Sequence, residues 1–332
     1  MSGRAPRALI TGIAGQDGSY LAELLCGEGA SVHGTLRGAP ERALPNLAGV
    51  REKIVLHECD VEVPGRLREL IAEIEPDEIY HLAAPAFVPD SWREPARTAR
   101  AIVGAGAELL EAVRDNAPDA RVVFANSREI FGTAAPSPQD ETTPFAPSTP
   151  YGVCKLAVHQ LVGLARARDG LHASSAILFN HESPRRPETF ISRKVTRAVA
   201  AIKLGRSDEL VVGDLAAVRD WSAARDIVAG LRAMARAEQA ADYVLASGHA
   251  RTVRQLVDTA FSAVGLEAAP YLRIDERFMR PPEHSAAVGN ARRAASSLHW
   301  SPQTPFEQLI EEMVEADLAQ LQAEIDAPAR RR

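Results

Sequence analysis

A short apolar run, Arg7-Ala-Leu-Ile-Thr11, ends in Gly12-Ile-Ala-Gly15-Gln-Asp-Gly18, and from Tyr20 to Cys26 apolar residues then recur at helical spacing. No other feature constrains the fold as much. Glycines three apart between a strand and a helix make a turn whose backbone N–H groups, together with the helix N-terminus, can face a pyrophosphate. Tight turns also use glycine simply to reach positive φ, so the loop alone leaves both readings open. Its place between strand and helix favours a dinucleotide.

The same alternation continues down the chain. Strands are expected at 31–36, 54–57, 78–83, 121–125 and 174–179, with helices at 65–74, 101–114 and 150–168. Strands alternating with helices indicate βαβ units, hence a Rossmann-type doubly wound parallel sheet. After Asn180 the regularity falls: helices are expected at 195–204, 225–236, 253–264 and 306–323, with short strands at 209–212 and 242–247. The expected organisation is a dinucleotide-binding domain over 1–179 and a smaller mixed α/β lobe over 180–332, some of whose chain returns to the sheet domain. Ligands of open α/β sheets bind at the carboxyl edge, beneath such a lobe.

Composition narrows the partners. The 332 residues carry 38 basic and 44 acidic side chains, a net charge of −6, which argues against nucleic acid and polybasic membrane binding. Cys26, Cys59 and Cys154 are an odd count without CxxC spacing, and the nine histidines show no metal-binding pattern, so neither disulfides nor a metal are expected. With no apolar run of membrane-spanning length, a cytoplasmic protein is expected.

Chemistry is concentrated in the middle of the chain. Tyr151 and Lys155 stand one helical turn apart, where the ammonium would favour the phenolate and make Tyr151 a base near neutral pH. Ser127 and Glu129 follow the strand Val122–Ala125. After the second strand, where an acidic ribose clamp is usual, the sequence reads Gly34-Thr-Leu-Arg37, which suits a 2′-phosphate and so NADP rather than NAD, unless Arg37 is only a solvated loop charge. Asp60 and Val61 are adenine-side candidates or plain loop residues.

Together these residues resemble the extended short-chain dehydrogenase/reductase family. Within it, ALITGIAGQDGSYLAELL at 8–25, ETTPFAPSTPYGVCK at 141–155, ILFNHESPRRPETFISRKVTRA at 177–198 and VRDWSAARD at 218–226 are most similar to the GDP-mannose 4,6-dehydratases. That resemblance implies NADP, bound tightly and recycled, with NAD as the alternative. It would lie on Gly12, Gly15, Gln16, Asp17, Gly18, Arg37, Asp60, Val61, Leu82, Ala83, Ala84, Tyr151, Lys155, His181 and Arg186. It also implies a GDP-hexose held by Ser91, Arg128, Asn180, Lys194, Arg219, Arg280 and Glu283. Ser127 would hold the sugar O4, Tyr151 with Lys155 would take its proton as hydride leaves C4, and Glu129 would remove the C5 proton before water departs from C6 and hydride returns there. A homodimer, or a homotetramer, would be the assembly.

Three departures stand out. Arg128 occupies a position where these dehydratases carry a small serine. If it points inward it can pair with Glu129 and weaken it as a base; if outward, little changes. Pro85-Ala86-Phe87 replaces Gln-Ser-His near the hexose, and Arg37-Gly-Ala-Pro-Glu-Arg42 lacks the serine-rich loop that binds cofactor phosphate and builds tetramers. The first two keep a second enzyme class open, a GDP-hexose isomerase (epimerase or pyranose/furanose mutase) that loses no water. A GDP-4-keto-6-deoxyhexose reductase and a non-catalytic NADP-binding scaffold are further alternatives.

Overall fold

Apolar runs of four to six residues bounded by turns are too short for helices and, where both faces are covered, pair as parallel strands. In the computed structural model, which describes residues 4–39, 44–133, 135–278 and 286–326, they become β1 (Arg7–Thr11), β2 (Ser31–Leu36), β3 (Ile54–Glu58), β4 (Glu78–His81), β5 (Arg121–Ala125) and β6 (Ala173–Leu178). The helices between them are α1 (Gln16–Gly27), α2 (Arg66–Ile74), α3 (Asp90–Arg93), α4 (Pro95–Ala99), α5 (Ala105–Asn116) and α6 (Pro150–Asp169). The second half supplies strands β7 (Asn180–Glu182), β8 (Leu210–Val212), β9 (Val218–Ala223), β10 (Tyr243–Leu245), β11 (Ala250–Thr252) and β12 (Leu272–Ile274). Its helices are α7 (Ile191–Lys203), α8 (Ala224–Ala235), α9 (Val253–Ala263), α10 (Arg292–Leu298) and α11 (Phe306–Asp326).

Seven strands form one parallel sheet in the order β10-β6-β5-β4-β1-β2-β3. Alternate residues face opposite helical layers, as a period of two requires. Leu9, Ile79, Val122 and Phe124 pack toward α2, α5 and α6, whereas Ala8, Ile10, Tyr80 and Val123 pack toward α1 and α8. Strand order reverses between β1 and β4, and the crevice beyond their carboxyl ends is where such a sheet binds ligands. Helix α8 lies against α1, and β10 extends the sheet beside β6, so this stretch of the second half belongs to the sheet. What remains, β7-β9-β11, β8-β12 and the cluster of α7, α9 and α11, stands over the carboxyl edge. Among the described residues no helix is long and apolar enough to cross a membrane, and no three His, Cys, Asp or Glu side chains group to hold a metal.

Among the boundaries that differ from those expected, two have clear local reasons. The fourth strand stops at His81 rather than Ala83 because the N–H groups of Leu82 and Ala83 donate to Thr11 Oγ1, at 3.1 Å each, and leave the ladder. Helical structure before α5 begins at Pro95 and passes through a π-type turn at Arg100–Gly104, a widening that breaks the 3.6-residue period.

Candidate active site

The amino-terminal side of the crevice is made largely by backbone. Gly12 takes φ +71° where the chain leaves β1. A Cβ at Gly18 would fall 2.6 Å from the Gly12 carbonyl oxygen and 2.7 Å from Ile13 Cα, so only glycine lets α1 start this close to the strand. The helix begins after Gly15 with no side-chain cap, which leaves its first N–H groups for something else to satisfy. Gln16 and Asp17 turn inward. Gln16 Nε2 donates to the His181 carbonyl at 3.0 Å, Ser183 Oγ donates to Gln16 Oε1, and His181 Nε2 lies 2.9 Å from Asp17 Oδ2. His181 Nδ1 is also 2.8 Å from the Phe179 carbonyl. Both of these partners are acceptors, so the imidazole carries two protons. Burial opposes that charge, yet the Asp17 carboxylate outweighs it and raises the His181 pKa. Burial would likewise raise Asp17, but the charge and hydrogen bond of His181 bring it below the usual carboxylate value.

Across the switch point, Thr11 Oγ1 accepts from Leu82 and Ala83 and so offers its proton to His81 Nδ1, 3.0 Å away. His81 is therefore neutral, and burial, aided by the Lys155 charge, pushes its pKa down to about 3.

The opposite side is made of side chains. After β5, Ser127 caps the turn Arg128–Ile130 by accepting from Glu129 N at 3.2 Å. Thr149 caps α6 by accepting from Gly152 N at 3.0 Å, with Pro150 at the first helical position, and this sets Tyr151 and Lys155 on successive turns. A Cβ at Gly152 would sit 2.6 Å from the Glu129 carbonyl oxygen, so glycine lets the start of α6 close on the Ser127–Glu129 turn. Tyr151 and Lys155 are 8% and 7% exposed. Burial raises the Tyr151 pKa; a hydrogen bond from Ser127 and the Arg186 charge lower it, whereas the Glu129 charge raises it further. Lys155 Nζ donates to the Ala125 carbonyl at 2.7 Å, and burial brings its pKa down to about 8. Burial thus leaves the Tyr151 pKa raised rather than lowered as expected, and the Lys155 ammonium is turned to the end of β5, 5.7 Å from the phenol ring centre.

Arg128 points inward. Its Nη1 lies 3.0 Å from Glu129 Oε1 and its Nη2 donates to the Gly132 carbonyl at 2.8 Å.

Asp17, Leu82, Ala84, Ser127, Arg128, Glu129, Tyr151, Lys155, Asn180, His181 and Arg186 all line one cavity of about 170 Å³. A larger cleft of about 480 Å³ lies near Arg4, Asp77 and Arg121, at the amino ends of the strands, away from these groups. Other expected residues lie elsewhere. Ser91 is buried and donates to the Val88 carbonyl. Lys194 lies over the Phe278 ring, 3.9 Å from its centre, and Arg219 Nη1 donates to the Val218 carbonyl. Arg37, 65% exposed, reaches within 3.9 Å of Glu62, Asp60 accepts from Glu62 N, and Val61 is buried. Arg280, Glu283 and residues 40–42 of the Arg37–Arg42 segment lie outside the described residues.

Three contributors escaped the sequence reading. Asn126 Nδ2 donates to the Lys155 carbonyl and to Ser175 Oγ, tying α6 to β6. Thr11 ends β4, and Phe190 lines the cavity with Arg186 stacked 3.6 Å from its ring centre. An asparagine directly after an apolar strand is the signal that could have found the first.

Residues 9–313 match the family model described as GDP-mannose 4,6 dehydratase. The chain belongs to that family. It is 41% identical over 323 residues to "GDP-mannose 4,6 dehydratase 2" of Arabidopsis thaliana, covering 94% of this chain and 86% of that protein. It is 38% identical over 340 residues to the GDP-mannose 4,6-dehydratase of Sinorhizobium fredii (strain HH103), covering 95% and 97%. Among solved structures it is similar to RMD from Pseudomonas aeruginosa complexed with NADPH, with TM-score 0.81, 24% identity and coverage of 95% and 100%. MoeE5 in complex with UDP-glucose and NAD gives TM-score 0.80, 25% identity and coverage of 95% and 99%. Against the small serine that the family resemblance sets between Ser127 and Glu129, Arg128 is a departure with a defined geometry: the inward arrangement, paired to Glu129.

Proposed function

We propose that the protein dehydrates GDP-mannose to the GDP-4-keto-6-deoxy sugar with bound NADP, NAD being the alternative cofactor. The observation that carries this reading is the convergence of Ser127, Glu129, Tyr151 and Lys155 on one cavity at the carboxyl edge of the sheet. A dinucleotide suits the crevice beside them, since an uncapped helix N-terminus approached through Gly12, Gly15 and Gly18 is a ready site for a pyrophosphate. Gln16, Asp17, Leu82, Ala83, Ala84, His181 and Arg186 would complete its walls, Asp60 and Val61 the adenine side, and Arg37 the 2′-phosphate contact. Asn180, Lys194, Arg219, Arg280 and Glu283 would hold the GDP portion, where bidentate arginines suit a diphosphate. The chemistry a bound nicotinamide supplies is reversible hydride exchange with the sugar.

The chain's own groups handle the protons. Ser127 holds O4, and Tyr151 takes its proton; Lys155, the cavity's one cation without an acidic partner among the described residues, favours the phenolate. In the 4-keto sugar the C5 hydrogen is acidic, and Glu129 removes it; the C5–H electron pair becomes the C5–C6 double bond as the C6–O bond breaks. The hydroxyl leaves as water with the proton that Glu129 has just taken from C5, and Glu129 returns to its carboxylate form. The incubation of purified protein with GDP-mannose, followed by mass measurement, tests the reading: a product lighter by one water is expected, and no turnover would overturn it. An isomerisation is the second reading, favoured by the Arg128–Glu129 pair, and would give a product of unchanged mass with altered chromatography. A homodimer is proposed as the assembly.

A further inference from the structure

The charges around the cavity pair off, with one exception. Asp17 faces His181 at 2.9 Å, Glu182 faces Arg186 at 3.1 Å, and Glu129 faces Arg128 at 3.0 Å. Lys155 has a carbonyl, not a carboxylate, as its partner, and Tyr151 is the remaining acid. His81 is neutral, and Cys154 is the other ionisable neighbour of Lys155. This arrangement answers a difficulty built into dehydration. Dehydration uses Tyr151 first and Glu129 second, and unless a proton is exchanged with solvent between the two steps both enter the cycle as anions, which oppose one another. The Glu129 carboxylate is near enough to Tyr151 to oppose its ionisation. Arg128 is 6% exposed, always charged, and anchored on its far side by the Gly132 carbonyl, so its guanidinium is fixed rather than free to follow a ligand.

We propose that Arg128 is a positioning residue that lets Tyr151 and Glu129 both serve as bases in one cycle: its guanidinium fixes one oxygen of the carboxylate and offsets part of that carboxylate's charge toward the phenol. The inference rests on the dehydration reading, which is what requires two bases in one cycle. Buried arginine–carboxylate pairs are costly to assemble and more costly to break, so a pair kept beside the reacting groups points to a task there.

Arg128→Gln, Arg128→Lys and Glu129→Gln decide it, with turnover of GDP-mannose followed across pH and proton removal by Tyr151 followed separately through the absorbance of reduced nicotinamide in a single turnover. Arg128→Gln is expected to lower kcat about tenfold or more near neutral pH, to leave KM nearly unchanged, and to move the acid limb of the single-turnover profile to higher pH. Arg128→Lys, which keeps the charge, is expected to restore most of kcat and the wild-type profile. Glu129→Gln stops dehydration but leaves Arg128 uncompensated, so its single-turnover acid limb is expected to move the other way, to lower pH. If Arg128→Gln does not fold, as judged by thermal melting, Glu129→Gln is compared with the double variant Arg128→Gln/Glu129→Gln, which leaves no charge of the pair unpaired; the double variant's acid limb is expected at higher pH, and coincident limbs overturn the proposal. A folded Arg128→Gln with wild-type kcat and profile, or no rescue by lysine, overturns it equally. Wild-type protein that leaves GDP-mannose untouched defeats the dehydration reading instead, so the two failures are distinct.

Discussion

The two sides of the crevice are built on different principles. The side at the start of α1 owes its shape to backbone: positive φ at Gly12, a Gly18 that admits no Cβ, and an uncapped helix end. The side at the start of α6 owes its shape to capped turns that hold ionisable side chains against one another. A backbone-made surface tolerates almost no added atom yet is indifferent to pH, whereas a side-chain-made surface tolerates conservative exchange and is governed by charge. Substitutions that separate shape from charge test this difference directly.

The largest effect is expected from the side-chain half. Tyr151→Phe removes one hydroxyl and no volume of consequence, so fold and GDP binding should persist while turnover falls by a factor on the order of 10³. Calorimetric binding of GDP with a turnover assay checks both halves of that statement, and near-normal turnover would remove Tyr151 from its assigned role.

Next comes the backbone half. Gly18→Ala places a methyl within 2.6 Å of the Gly12 carbonyl oxygen, with main chain rather than a flexible side chain in the way. A loss of about 1–3 kcal/mol of stability is expected, with NADP binding lost alongside it. Urea unfolding measures the first and titration with NADP the second. Unchanged stability would mean that the close approach of strand and helix is not a requirement of the fold.

A smaller effect comes from the His181–Asp17 pair on the backbone side. His181 has a folded pKa above its unfolded value, so its contribution is complete below the unfolded value and is lost as pH rises through the folded one. Asp17 is lowered, so its contribution is complete above the unfolded value and is lost as pH falls through the folded one. Melting temperature should therefore decline on both sides of a window bounded by these two groups, and His181→Asn should flatten the alkaline decline. The Arg128–Glu129 pair, whose cation does not titrate, should contribute nothing to that alkaline decline.

Much of the sheet was legible because a strand covered on both faces reads as a short apolar run, as in β5, which falls where expected at Arg121–Ala125; β2, Ser31–Leu36, was placed as well although His33, Gly34 and Thr35 interrupt its apolar residues. The first turn of α1 was not, since Gln16 and Ser19 are polar and buried, which hides the helical period. Strand β9 escaped notice for a related reason: Asp220 lies within it, fully buried and satisfied by the N–H groups of Ser247, Gly248 and Gly289, partners far away in sequence. At the site, spacing alone suggested that Tyr151 and Lys155 share a helix face. The direction of Arg128 and the Ala125 partner of Lys155 depend on where separate elements meet, which no local pattern encodes.

The smallest expected effect sharpens the comparison most finely, because Arg37 is a charged side chain on the otherwise backbone-made side. It is largely exposed and its acidic neighbour among the described residues, Glu62, is 3.9 Å away, so it is lightly held there. Solvent screens such a group, and Arg37→Ala should weaken NADP binding by no more than about tenfold, with the loss shrinking as salt is added. NAD, which lacks the 2′-phosphate, should bind wild type and variant alike. Binding isotherms for the two cofactors at low and high salt supply the test. Equal losses for both would mean that Arg37 supports the loop rather than reading the phosphate; no loss for either would mean that the amino-terminal side recognises its ligand through backbone alone.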